Sequence, residues 1–325
     1  MQLYQIRKYT SADYTTWNDF VSQAKNATFL FHRDFMDYHQ DRFEDYSLIV
    51  EDEKGWVAVL PANKVGVELH SHQGLTYGGL VLQPNFKIEK TLLVVKSILQ
   101  TLYVSGFKTL IIKELPPIYC SFFSDELKYV LFLVEANLVR RDTLAVIDLK
   151  QPLLLSKDRK EGVKRGVKNQ LIVQEETDFS SFWNSILIPN LKEKHDVKPV
   201  HSLTEITLLK ERFPKQIRQF NVYKNDQLLG GTTIFESQKV AHSQYISASD
   251  SKNELGTLDF LHHHLLTTIF KEKQYFDFGI SNEAQGKKLN AGLSYWKESF
   301  GAHCVTQDFY EVNVAHFTKL EGVLV

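Results

Sequence analysis

Two halves of this sequence run through the same order of secondary-structure signals while sharing almost no residues. Helical periodicity covers 11–26 and 32–41, and strand-like alternation follows at 47–52, 56–62 and 65–70. A long helix over 88–106 then leads to a strand at 107–113, a helix near 122–135 and a strand near 140–149. In the second half, helices over 178–195 and 202–212 precede strands at 217–224, 227–236 and 240–247. A long helix over 256–273, a strand at 275–279, a helix over 286–299 and a strand at 303–312 complete it. The long helices start 168 residues apart, as do the strands after them. Both halves therefore read ααβββαβαβ, which predicts a duplicated α/β unit with a mixed sheet and an α+β layering. The expected domains are 1–150 and 151–325.

Composition narrows the function classes. The 325 residues are 43% hydrophobic, ample for two cores, and 38 basic against 39 acidic side chains leave a net charge of -1. No global field gathers nucleic acid, so DNA is not an expected partner and any phosphate-bearing partner must meet a local patch. The N-terminal stretch has no apolar signal region, and no apolar run reaches about 18 residues, so the expectation is a cytoplasmic protein without an integral membrane segment. Two cysteines, Cys120 and Cys304, are too few for a disulfide framework or a cysteine-rich zinc site.

One local patch stands out. Residues 156–170 carry six basic and two acidic side chains, and helical spacing gathers Lys157, Lys160, Lys164 and Lys168 on one side. The helix that opens the second half is either a solvated linker or a surface for a phosphate-bearing substrate or RNA backbone, with Lys164 and Lys168 as contacts. His262, His263 and His264 point about 100° apart on a helix and cannot converge on one ion, so His262 is expected to pack and no metal site is predicted. No nucleophile elbow, Walker loop or dinucleotide glycine fingerprint occurs. The pairs Gly78-Gly79 and Gly230-Gly231 mark a close backbone approach in strands, made by a ligand edge or by tight packing.

Chemistry concentrates in YFDFGISNEAQGKKLNAGLSYWKESFGA, residues 275–302. A strand ending at Gly279 places Ser281 and Asn282 past its carboxyl end, where ligands of open α/β sheets bind. The following helix is expected to bury Leu289, Leu293 and Trp296, with Gly292 allowing close packing. Lys297 then either complements the helix dipole or stands rigidly beside a cleft, stabilising developing negative charge. Asp277 is a candidate general base or a structural hydrogen-bond acceptor, and Tyr245, on the strand expected next to it, is a candidate for orienting an amine.

These residues carry a resemblance. Two ααβββαβαβ units, the YGG of the first half, LGGTTIFES, YFDFG and the helix ending in WKESFGA resemble the FemABX family of aminoacyl and acyl transferases, built from two GNAT-type domains. The resemblance implies transfer of an activated acyl or aminoacyl group to an amine of a cell-envelope precursor, in peptidoglycan or polysaccharide assembly. It also implies a small-molecule or lipid-linked acceptor, acyl-CoA or aminoacyl-tRNA as donor, and no permanently bound cofactor. The aromatic-lysine pair associated there with the transition state matches Trp296 and Lys297, and the first-domain tyrosine region matches Tyr77, Gly78 and Gly79. GNAT enzymes that use acetyl-CoA usually cradle its pyrophosphate in a glycine-rich loop. The matching stretch here, SASDSKNELGTLDF, has one glycine and two nearby carboxylates, Asp250 and Glu254, which disfavour ordinary CoA binding. A non-catalytic module holding a sugar nucleotide or peptide is the alternative expectation.

Overall fold

The computed structural model describes residues 4–325, and the side chains of all of these except Lys194 and His195. The chain forms two compact units. The first holds the residues up to Asp142 with Gln285–Lys287 and Thr306–Val325; the second holds Thr143–Ala284 with Lys288–Val305. The expected boundary at 150 thus differs from the observed change at Asp142, and residues 306–325, expected in the second domain, return to the first unit.

In the first unit, β1 (Gln5–Lys8) is followed by α1 (Tyr14–Gln23), β2 (Leu48–Asp52), β3 (Gly55–Leu60), β4 (Glu68–His70), α2 (Ile88–Val104), β5 (Thr109–Lys113) and α3 (Glu126–Leu133), before the chain enters β6 (Asn137–Asp148). Strands β1, β2 and β3 pair antiparallel, with Val81–Leu82 beyond β3. Leu92, Val95, Ile98, Leu99 and Leu102 recur at three- and four-residue spacing along α2, and all are buried against the strands. β5 lies parallel to β4, and Phe309–Asn313 pairs antiparallel on its other side. That C-terminal strand brings Val312 and Val314 into the first core.

The second unit continues with α4 (Lys157–Lys168), β7 (Ile172–Glu176), α5 (Ile188–His195), α6 (Leu203–Arg212), β8 (Ile217–Lys224), β9 (Gln227–Glu236), β10 (Val240–Ala248), α7 (Thr257–His264), β11 (Tyr275–Ile280), α8 (Ala291–Glu298) and β12 (His303–Asn313). Strands β7 to β10 form an antiparallel meander, and β11 adds in parallel to β10. β7 was not expected from the sequence; its side chains are mostly exposed at the sheet edge and carry no apolar alternation. A π-helical turn, Leu265–Ile269, lengthens α7, and Phe270, Phe276, Phe278 and Phe300 pack with Leu261 and Leu265 in the core beneath.

The stretch expected to start a helix at 286 folds otherwise. Asn282–Glu283 pairs with Lys288–Leu289 as a short hairpin, and Ala284, Gln285 and Gly286 all take positive φ at its tip. The helix begins only at Ala291, where the Asn290 side chain accepts the Leu293 N–H at 3.0 Å as an N-cap.

Candidate active site at a strand fork

β10 and β11 pair over only three positions, Val240 with Tyr275, Ala241 with Phe276 and His242 with Asp277. β10 continues to Ala248, whereas Ile280 of β11 pairs with Leu144 of β6 after a register shift. The two strands therefore part after His242 and Asp277. Gly279 makes the parting possible with φ +72°, a left-handed conformation that only glycine adopts readily.

A fork leaves backbone groups without strand partners, and buried ones must be satisfied in another way. Asp277, fully buried, accepts the Gly279 N–H on Oδ1 at 2.6 Å and faces His242 Nδ1 with Oδ2 at 2.9 Å. Lys297, 3% exposed, donates from Nζ to the carbonyls of Gly279 at 3.0 Å and Ile280 at 2.6 Å. Burial pushes the Lys297 ammonium down to about 8, opposed by the Asp277 carboxylate. Two of its three N–H donors are thus engaged.

A cleft of about 530 Å³ lies within this unit between Ile246–Ala248 of β10, the start of α8 and the first turn of α7. Leu293 and Trp296 form part of its wall. The expected burial of the α8 stripe is reversed here: Leu289 and Leu293 are 55% and 40% exposed while Lys297 is buried. Gly292 likewise borders the cleft, where a Cβ would meet only Asn290 Oδ1 at 3.8 Å, rather than sitting in a packed contact. Trp296 is partly buried against His262, Phe278 and Phe300, an aromatic wall that fixes the helix carrying Lys297.

The remaining expected residues fall in several places. Ser281 is buried beside the fork and its hydroxyl has no hydrogen-bond partner among the described residues. Asn282 is occupied, its Oδ1 accepting from the Thr143 N–H and hydroxyl at 2.6 and 2.8 Å. The Tyr245 hydroxyl accepts the His201 backbone N–H at 3.1 Å and is hydrogen-bonded to His201 Nδ1 at 2.7 Å. Lys164 and Lys168 are exposed on α4, with Lys164 paired to Glu161 at 2.8 Å. Lys157, Lys160, Lys164 and His263 border a separate groove of about 430 Å³.

α4 is more than a solvated linker. A Cβ on Gly162 would lie 1.7 Å from Asp259 Oδ2 and one on Gly166 2.6 Å from the Phe260 Cβ, so both glycines press against α7. Arg159 pairs with Asp259, which is buried in the first turn of α7. A Cβ on Gly256, just before α7, would meet the Gly162 carbonyl at 2.0 Å. α4 packs against one side of this helix end, whose first turn also borders the cleft and carries the Asp259 carboxylate.

In the first unit, Tyr77 is 4% exposed and donates to Thr28 Oγ1 at 3.0 Å, packed edge-on to Phe31. Gly78 is held by sterics, since a Cβ there would lie 1.7 Å from the Ser71 carbonyl. Gly78 and Gly79 line a cavity of about 30 Å³, room for a single water, with Glu114 in its wall. Burial raises the Glu114 carboxyl to about 7, and it has no hydrogen-bond partner among the described residues. Neither Glu114 nor His242 carries a periodic or motif signal in the sequence. Among the described residues there is no metal-binding group of three His, Cys, Asp or Glu, and no helix long and apolar enough to cross a membrane.

No family model matches the sequence, and no curated protein does. Solved structures are similar. FemX superposes with a TM-score of 0.67 at 10% identity, covering 98% of this chain and 99% of that one. A C-terminal domain assigned to a lysylphosphatidylglycerol synthetase from Agrobacterium fabrum gives 0.59 at 13% identity, covering 94% and 92%. A tandem GNAT protein from the clavulanic acid biosynthesis pathway gives 0.50 at 10% identity, covering 96% and 99%. The chain has this FemX-like fold of tandem GNAT-type domains, as the resemblance implied.

Proposed function

We propose that the fork of the second unit transfers an activated acyl or aminoacyl group to an amine. The observation that carries this is the clamp itself: a buried lysine of α8 holding the kinked end of β11, on the helix whose Leu293 and Trp296 line an open cleft. Such a cleft takes the acyl part of a donor, and the third N–H of Lys297 is a preorganised donor for the oxyanion formed when an amine attacks the carbonyl. The FemX and lysylphosphatidylglycerol synthetase likenesses support an envelope precursor, soluble or lipid-linked, as the acceptor.

The donor most compatible with the site is an ester of the aminoacyl-tRNA type. The Asp259 carboxylate in the first turn of α7, where the cleft meets the helix N-terminus, speaks against seating a CoA pyrophosphate there. The exposed lysines of α4 offer a polyphosphate backbone a place to lie.

The test is transfer of a labelled amino acid from charged tRNA, compared with labelled acyl-CoA, to amine-bearing envelope precursors. The unsubstituted chain is expected to consume the aminoacyl ester, with Lys297→Met lowering kcat by about 100-fold or more. Undiminished turnover by Lys297→Met would remove the lysine from the chemistry, and preference for acyl-CoA would overturn the donor assignment.

A further inference from the structure

Glu114 of the first unit is a buried acid that faces a cavity without a partner. In the stretch IIKELPPIY, residues 111–119, Pro116 and Pro117 cannot continue a strand ladder, so β5 closes at Lys113 and Glu114 sits where the backbone turns away. Its main chain is fixed on both sides. The Glu114 N–H donates to the Asp308 carbonyl at 2.9 Å, and the Glu114 carbonyl accepts Gln307 Nε2 at 3.1 Å. The residue is 7% exposed and lines the small cavity whose wall also holds Gly78, Gly79, Leu80 and the first turn of α3.

A buried carboxylate is normally hydrogen-bonded or paired with a cation. Glu114 is neither among the described residues, because the cations that face it are already paired. Lys128 of α3 holds Asp125 at 3.1 Å, and Arg141 of β6 holds Asp308 at 2.6 Å. The Tyr310 hydroxyl donates to the same Asp308 at 3.2 Å. Glu126, on the same turn of α3, is paired with Lys25 at 2.6 Å. Around the cavity, three carboxylates, Glu114, Asp125 and Asp308, thus meet two cations, and the one left over is the one in the cavity wall. Burial pushes the Glu114 carboxyl up to about 7, with Lys128 and Arg141 opposing the rise and Asp308 and Asp125 adding to it.

The cavity of about 30 Å³ admits one water or one group of that size. An ammonium nitrogen is such a group, and it brings the charge that Glu114 lacks. A metal ion is poorly served, since no three His, Cys, Asp or Glu converge among the described residues. Gly79, at φ +99°, leaves bare backbone in the wall, and the wall reaches the exposed Pro117 and Asp125, so an alkyl chain can trail to the surface on that side.

We propose that this cavity of the first unit binds a primary alkylammonium group with the Glu114 carboxylate as its counter-ion. The site requires no transfer chemistry, so its failure would leave the proposed function untouched. Pairing favours the ionised carboxylate and draws its titration down; affinity therefore falls as the pH drops through about 7, where the carboxyl takes up a proton.

The experiment follows the Glu114 carboxyl by carbon-13 NMR in the full chain labelled at glutamate, the signal being assigned by through-bond correlation. Methylammonium chloride is the probe, against tetramethylammonium chloride and sodium chloride at equal ionic strength. With only two heavy atoms, methylammonium is expected to bind in the millimolar range. Its saturation should lower the midpoint by about one pH unit, which is a tenfold preference for the ionised form. Tetramethylammonium, which has no N–H, and sodium should leave the midpoint near 7. In calorimetry at pH 8, Glu114→Gln should weaken methylammonium binding by about tenfold or more. A midpoint that ignores methylammonium overturns the proposal and makes Glu114 a structural acid beside a single water. So does an equal response to all three salts, which is screening alone, or a midpoint in the ordinary carboxylate range in sodium chloride, which would mean that Lys128 pairs with Glu114 in solution. Unchanged binding by Glu114→Gln overturns it as well, and where that variant fails to fold the titration of the unsubstituted chain decides.

Discussion

A lysine that is 3% exposed is costly unless its ammonium is held, and at Lys297 two carbonyls of the kinked β11 end hold it. Both carbonyls lie past the last β10 partner of β11, where the lysine satisfies them. Its apolar neighbours show the reverse, since Leu293 is open to the cleft. Helical spacing alone assigned the leucine to the core, whereas the structure leaves it open to the cleft and buries the lysine. His262 behaved as its spacing suggested, packing among aromatic rings with Nδ1 donating to the Leu258 carbonyl at 2.8 Å. Burial lowers its pKa from 6.5 to about 4. The folded ring is neutral while the unfolded one protonates near 6.5, so its stabilising contribution is intact above about pH 6.5 and lost as the pH falls through about 4. That loss approaches about 3.5 kcal/mol by the conversion of about 1.4 kcal/mol for each pH unit. Urea midpoints of the second unit should fall over this window, and His262→Phe should flatten the fall; an unchanged slope would mean the ring is protonated in the folded state.

At the level of elements, the repeated helix and strand order was legible because each long amphipathic helix and each strand announces itself by its own period. The small hairpin at 282–289 was not, because positive φ at Ala284 and Gln285 has no pattern of its own. Nor did the sequence show which way α4 faces. Its lysines drew attention, yet its glycines do the seating: Gly162 and Gly166, four residues apart, bring α4 close to α7. Gly162→Ala is therefore expected to destabilise the second unit by about 2 kcal/mol despite the better helix propensity of alanine, since the added methyl must displace a buried carboxylate. Lys164→Ala should change stability by less than about 0.5 kcal/mol. Denaturant titration of both variants measures this, and a neutral Gly162→Ala would show that α4 is not held by its glycine face.

For the whole molecule, the consequential departure is the return of residues 306–325 to the first unit, where Phe309–Asn313 pairs with β5 and Val312, Val314 and Leu320 enter the core. Deleting residues 306–325 removes three buried apolar side chains, about 5 kcal/mol at about 1.5–3 kcal/mol each, which rivals the stability of a typical domain. Hydrogen exchange at the amides of Leu110–Ile112 is expected to lose its protection in that truncation; retained protection would show that β5 does not depend on the C-terminal strand. By itself the sequence determined the class of fold, the duplication and the neighbourhood of Lys297, because periodicity, turn residues and element order are local and survive the loss of residue identity. Only the tertiary structure decided the fork, the cleft and the pairing of His242 with Asp277. Those two residues are 35 positions apart and meet because β10 and β11 run parallel across the α7 crossover, a contact fixed by strand register that no local pattern records.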